Sequence, residues 1–147
     1  MIAVDTNILV YAHRRDSEWH SSALRRLQSL AEAQARWAIP WPCIHEFLAI
    51  VTHPRIYDPP TPFFTALDSI AVWLESPGCA AISEGPGYFD LLRRLATEGR
   101  ATGGLIHDAR IASLCLHHGV TALWTSDRDF SRFPALATVN PLLEKKA

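Results

Sequence analysis

Apolar positions run along this chain in two rhythms. Ile2-Ala3-Val4, Trp37-Ala38-Ile39, Cys79 to Ile82 and Val120 to Thr125 are short continuous runs, the signature of strands buried on both faces. Between them the spacing turns helical. Residues 18–35 place Ala23, Leu24, Leu27, Leu30 and Ala31 on one face, with Arg25, Arg26 and Glu32 outside. Helices are also predicted from Asn7 to His13, from Pro42 (a proline that can open a helix at its first position) through Glu46 to about Thr52, and from Phe63 to about Leu74. Two more are predicted from Pro86 to about Thr97 and from Leu105 to His117, the second ended by Gly119. Pro54 through Pro62, with four prolines, must be a loop. Asp129 to Phe133 reads as a helical turn closed by Pro134, and Thr138 to Asn140 as a last strand. Short strands alternating with amphipathic helices give an α/β layered fold with a mostly parallel sheet. No repeat or low-complexity tract divides the 147 residues, so one domain over 1–147 is expected.

Composition adjusts this picture modestly. The chain is 48% hydrophobic and carries five Trp, which reads either as a Trp-rich core or as apolar surface covered by a partner. Net charge is −1, from 14 Lys+Arg against 15 Asp+Glu, which excludes a protein that coats nucleic acid by charge alone. Cys43, Cys79 and Cys115 are odd in number and set in apolar stretches, so they read as reduced core residues and not as a disulfide frame or zinc site. Asp5 breaks the first apolar run, no basic segment precedes it, and no apolar span reaches 18 residues, so neither a signal peptide nor a membrane crossing is expected. The expected location is the cytoplasm.

The chemistry lies in four acids that interrupt or end core-type runs: Asp5, Glu46, Asp108 and Asp127. Asp5 and Asp127 fall just past strand ends, the edge where open α/β sheets place their ligand crevice. Glu46 and Asp108 fall within helices; Asp108 shares a face with Ala112 and Cys115, which points it inward. Two carboxylates about 4–5 Å apart repel by about 3–4 kcal/mol at an effective dielectric near 20. If all four converge, a bound divalent cation is the simplest compensation, since no basic residue recurs at matching spacing. Oxygen-only ligands favour Mg²⁺, with Mn²⁺ as substitute, and such a site suits phosphodiester hydrolysis. Asp5, Asp108 and Asp127 are then the main anchors, with Glu46 at a water or a second ion. Taken singly, each acid has a plainer reading: Asp127 and Asp5 as helix caps, Glu46 on a solvated helix edge, and Asp129 either assisting Asp127 or only starting its turn. Thr6 and Ser126 are candidate hydroxyl contacts, with turn roles as the alternative. Arg14, Arg15, Arg55 and Arg128 are candidates for phosphate contact, with solvated surface charge as the alternative.

Other chemistries fail on spacing. His45-Glu46 begins a His-Glu-x-x-His zinc motif, but Ala49 holds the last position. His117-His118 are adjacent and cannot both face one metal from a regular helix. Glycine-rich phosphate loops are absent, and Gly103-Gly104 reads as a hinge before a helix.

Val4-Asp5-Thr6-Asn7, the helix carrying Glu46, His107-Asp108-Ala109-Arg110-Ile111-Ala112 and Thr125-Ser126-Asp127-Arg128-Asp129-Phe130 together resemble a PIN domain, and more narrowly the VapC-type toxins of bacterial toxin–antitoxin pairs. Val51 to Arg55 and Arg132 through Pro141 resemble an actinobacterial subgroup of that family. The resemblance spans essentially the whole chain. It implies a three-layer α/β/α fold and a Mg²⁺-dependent endoribonuclease that cuts cellular RNA such as tRNA or rRNA and inhibits translation. It also implies a homodimer silenced by a cognate antitoxin protein. The family's acids carry over onto Asp5, Glu46, Asp108 and Asp127 as metal and catalytic residues. The alternative is a PIN-like module that binds RNA or protein without cutting.

Overall fold

The computed structural model describes residues 1–143, so the last four residues of the expected 1–147 unit lie outside the described ones. Five parallel strands form one sheet: β1 (Ile2–Val4), β2 (Trp37–Pro40), β3 (Cys79–Ile82), β4 (Ala122–Trp124) and β5 (Thr138–Val139), in the order β3-β2-β1-β4-β5. Six α-helices connect them: α1 (Thr6–His13), α2 (His20–Glu32), α3 (Trp41–Val51), α4 (Phe63–Glu75), α5 (Tyr88–Glu98) and α6 (Leu105–His117). From β1 to β3 the chain steps outward in one direction, and after β3 it crosses back to β4 on the other side of β1. Right-handed crossovers therefore set α1–α4 on one face of the sheet and α5–α6 on the other. That is the three-layer α/β/α arrangement.

The central strands are buried because both faces are covered: Ala3, Val4, Trp37, Ala38, Ile39 and Leu123 are all fully buried. In α2 the predicted inner residues Ala23 and Leu27 are buried. Phe47 on α3 ties three helices together, its ring meeting Trp73 of α4 at 4.9 Å and His13 of α1 at 5.2 Å between centroids. At the end of α6, Gly119 takes φ 71 and its N–H donates to Leu116 O, while Val120 N donates to Cys115 O. This left-handed stop pairs the last carbonyls of the helix and aims the chain into β4.

Several boundaries differ from expectation, each for a local reason. The helix expected from Pro86 begins at Tyr88, because Gly87 has φ 89 and cannot continue a right-handed helix. The helix expected from Pro42 begins one residue earlier, at Trp41, directly off β2. The expected span 18–35 shortens to 20–32, and the strand expected over 120–125 shortens to 122–124. The turn after Asp127 is a 3-10 helix over Arg128–Arg132. Of the two readings of the five Trp, the core reading fits four of them. Trp37 and Trp124 are buried, Trp41 and Trp73 are half-buried, and Trp19 alone of the five reaches the exposed class. Exposed apolar side chains are most numerous on α4, where Phe63, Phe64, Leu67 and Val72 face solvent, with Ile56, Phe89 and Leu143 exposed elsewhere. All three cysteines are free, as expected. Among the described residues no helix is long and apolar enough to cross a membrane.

Phe47→Ala should lower the unfolding free energy by about 3–5 kcal/mol, the usual result of emptying a fully buried aromatic site. Urea denaturation followed by circular dichroism reads this, with Phe47→Leu expected to lose less.

Candidate active site

Parallel register brings the ends of β1 and β4 together. Ile2, Ala3 and Val4 lie beside Ala122, Leu123 and Trp124, and Asp5 N then donates to Trp124 O at 2.9 Å. Strand order reverses between these two strands, so the carboxyl edge here opens into a crevice. Asp5 sits at its floor with only 5% of its surface exposed. Its Oδ1 accepts from Thr6 N at 2.8 Å and lies 3.6 Å from Cys43 Sγ, which donates to it. Its Oδ2 accepts from Thr125 Oγ1 at 2.7 Å and from Asn7 Nδ2 at 3.4 Å. Burial nevertheless raises the Asp5 pKa, and Glu46 adds to that rise, while the Thr125 and Thr6 hydrogen bonds pull it back.

Thr125 and Asn7 tie the two strand ends together. Thr125 Oγ1 accepts from Asp127 N at 3.0 Å, and Asn7 Oδ1 accepts from Ser126 N at 3.3 Å. The loop carrying Asp127 is thus fixed relative to Asp5. Asp127 Oδ1 in turn accepts from Asp129 N at 2.8 Å and caps the 3-10 turn. For Asp5 and Asp127 the capping reading and the cluster reading hold at once: each spends one carboxylate oxygen on a cap while facing the crevice.

Asp108 and Glu46 arrive on helices. Asp108 is in the first turn of α6, where the helix dipole favours a negative charge. It is half-buried and lies near Asp127 and Asp129, with ligand oxygens of the three acids within 4.8 Å of one another. Its pKa is pushed up to about 6, first by burial, then by the charges of Asp127, Asp5, Asp129 and Glu46. Glu46 is exposed on α3, and its Oε2 accepts from Thr6 Oγ1 at 3.0 Å. All four expected acids line one cavity of about 250 Å³. Among the described residues no Arg or His shares its wall. A larger groove of about 780 Å³, between the end of α1 and α4, holds none of the four. Carboxylate convergence, not volume, locates the chemistry.

The four acids differ in depth, and Glu46 follows the solvated-edge reading of its helix. Asp5 alone is buried; Asp108 is half-buried and Glu46 is exposed, because Ile44 and Phe47 take the inner face of α3 and turn Glu46 toward the rim. Asp129 joins the closest acid trio, a place the sequence left open. None of Arg14, Arg15, Arg55 and Arg128 lines the cavity. Arg14 is held by Asp16 at 2.6 Å, a structural pairing. Thr6 does contact the cluster through its hydroxyl, whereas Ser126 enters through its backbone N–H. Asn7, Thr125, Tyr11 and Tyr57 belong to the site and were not singled out. Their signal was positional, since Asn7 and Thr125 each lie two residues from a strand-end acid.

The donor set is all oxygen and net negative, which fits a hard divalent cation and disfavours zinc or copper. A parallel sheet with an acidic crevice at its switch point is the class of α/β fold seen here, and the family follows directly: the model described as PIN domain covers residues 2–136, so the chain belongs to the PIN-domain family. Its relatives narrow this to the VapC ribonucleases. Ribonuclease VapC43 of Mycobacterium tuberculosis is 32% identical over 142 residues, covering 97% of this chain and 96% of the relative. Ribonuclease VapC48 of the same species is 28% identical over 137 residues, covering 93% and 94%. Among solved structures, VapBC2 from Rickettsia felis bound to a promoter DNA fragment matches with a TM-score of 0.65 at 23% identity, covering 95% of this chain and 98% of that one, a likeness of fold.

Two measurements probe the electrostatics. Asp108 holds its proton more tightly folded than unfolded, so it favours the folded state below its ordinary pKa of 3.8 and that contribution is lost as pH rises through about 6. Metal-free protein should therefore show a melting temperature that falls over this window, less steeply in Asp108→Asn, with added Mn²⁺ restoring it above the window. Thr125→Val strips a donor from buried Asp5 and an acceptor from Asp127 N; it should cost about 1–3 kcal/mol in urea denaturation and weaken Mn²⁺ binding by calorimetry.

Proposed function

We infer that the protein is a metal-dependent endoribonuclease, the toxic component of a toxin–antitoxin module, which hydrolyses phosphodiester bonds in cellular RNA such as tRNA or rRNA. The convergence of Asp5, Glu46, Asp108 and Asp127 on one cavity, with no basic residue in its wall among the described residues, carries this reading. Kinship with VapC ribonucleases supports the choice of substrate.

Asp5, Asp108 and Asp127 are the residues that would hold Mg²⁺, with Mn²⁺ as substitute, and Asp129 stands beside them. When bound, the ion supplies positive charge that activates water and stabilises the leaving oxygen. The protein supplies placement. Asp5 is immobilised by its donors, so its orientation is set before any ligand arrives. Glu46 has Oε2 engaged by Thr6, which orients its carboxylate at the rim to hold a water or a second ion. The apolar surface of α4 supports protein partners, a second copy in a homodimer and a cognate antitoxin.

Purified protein with Mg²⁺ or Mn²⁺ should cleave RNA, and excess chelator should stop it. Groups that merely hold a metal ligand in place cost about 10–100-fold when removed, so Asp5→Asn and Asp108→Asn should each lose at least that much activity while keeping a native circular dichroism spectrum. Undiminished cleavage in both variants, or in chelator, rejects the mechanism.

A further inference from the structure

The acidic cavity also has an uncharged lining, to which Val10, Tyr11, Ile50, Tyr57 and Ile111 contribute. Tyr57 is the notable member: it lines this cavity, whereas Arg14, stacked on its ring, lines the larger groove. The Arg14 guanidinium carbon lies 4.1 Å from the Tyr57 ring centroid, in the geometry of a cation over an aromatic face.

That guanidinium is unusually well fixed. Its Nε donates to Asp16 Oδ1 at 2.9 Å and its Nη2 to Asp16 Oδ2 at 2.6 Å. Its Nη1 donates to Pro59 O at 3.1 Å and to Thr61 Oγ1 at 3.2 Å. Tyr57 itself is anchored at the backbone, where its N–H donates to His53 O at 3.1 Å. A ring backed by an immobilised plane and bordering an open cavity is a pre-formed platform, whose ordering cost is met on folding and not on binding.

A nucleotide has the same two-part character as this cavity: an anionic phosphate, and a base whose π-face seeks an aromatic surface. Resting on the ribonuclease reading above, the geometry points to Tyr57, braced by Arg14, as the residue on which a nucleobase adjoining the cleaved phosphate stacks, so that the 53–62 loop takes part in substrate selection. Tyr57 is then a binding residue whose effect is on affinity. The carboxylate end, by contrast, repels the RNA backbone until a cation is present, and contributes no base recognition of its own.

Stacking of a base on an aromatic side chain is lost on alanine substitution with an affinity penalty of about 5–150-fold. Tyr57→Phe, Tyr57→Leu and Tyr57→Ala should be compared on two readouts. In Mg²⁺, steady-state cleavage should show KM raised by that factor in the Leu and Ala variants, kcat within about twofold of the parent, and Phe close to the parent. With Ca²⁺ in place of Mg²⁺, fluorescence anisotropy of a labelled single-stranded oligoribonucleotide should show the same ratios in Kd. It should also show that an abasic nucleotide at the stacked position weakens the parent but not Tyr57→Ala. The anisotropy readout is independent of catalysis, so a protein that binds RNA through Tyr57 yet never cleaves would fail the ribonuclease reading alone. Equal Kd for the Leu and Phe variants, or a loss in Tyr57→Ala confined to kcat, would overturn the stacking role. Unchanged Mn²⁺ affinity and melting temperature in Tyr57→Leu separate lost stacking from a disturbed fold.

Discussion

A nearly buried carboxylate at the seam between the first and fourth strands is the constraint around which this molecule is arranged. Burying an ionised Asp without partners is prohibitive, and Asp5 is provided with backbone, hydroxyl, amide and thiol donors from three separate segments. Those donors have a second effect. Thr125 and Asn7, recruited to Asp5, also receive or bind the backbone of residues 126 and 127. Satisfying one buried charge therefore orients the loop that delivers the next. Asp108, on a different element, meets the same crowding: burial first, then the charges of Asp127, Asp5, Asp129 and Glu46, push its pKa up to about 6. A structure optimised only for stability would neutralise such a cluster with an arginine. Keeping it acidic is the local inconsistency expected at a functional site.

Around that centre the two faces of the sheet have different duties. The α5–α6 layer supplies Asp108 from the beginning of a helix buried on most sides, a position that is rigid because Ala109, Ile111, Ala112, Leu114 and Cys115 are all packed. The α1–α4 layer supplies Glu46, the aromatic wall and the exposed apolar surface of α4. Asp108 thus stands on a well-packed helix, while the other layer presents Phe63, Phe64 and Val72 to solvent. Arg14 links the two duties. The sequence offered it as a phosphate contact, but its charge is consumed by Asp16 and its plane by Tyr57.

Much of this was written in one dimension. Short uninterrupted apolar runs fix a strand as buried on both faces, which dictates parallel neighbours and helical crossovers; from there the sheet and the positions of Asp5 and Asp127 at its carboxyl edge follow. Helix interiors were equally plain, as Ala23 and Leu27 illustrate, because a periodicity of 3.6 has few other causes. Boundaries such as Pro86 and Gly87 were less so, since a single left-handed residue decides them and many residues tolerate either side.

What tertiary structure alone decided is which side chains meet. Identity and spacing placed four acids near the edge of a sheet, but nothing local distinguishes buried Asp5 from exposed Glu46, or brings Asp129 to Asp108 across 20 intervening positions. Thr125 and Asn7 are unremarkable as letters; they matter because strand register sets them beside one another, 118 residues apart in the chain. Tyr57 becomes a wall of the crevice only once the proline loop folds back over α1. Periodicity is a property of neighbours along the backbone and survives in the sequence, whereas the convergence of a site depends on register and packing between distant segments, which no single stretch encodes.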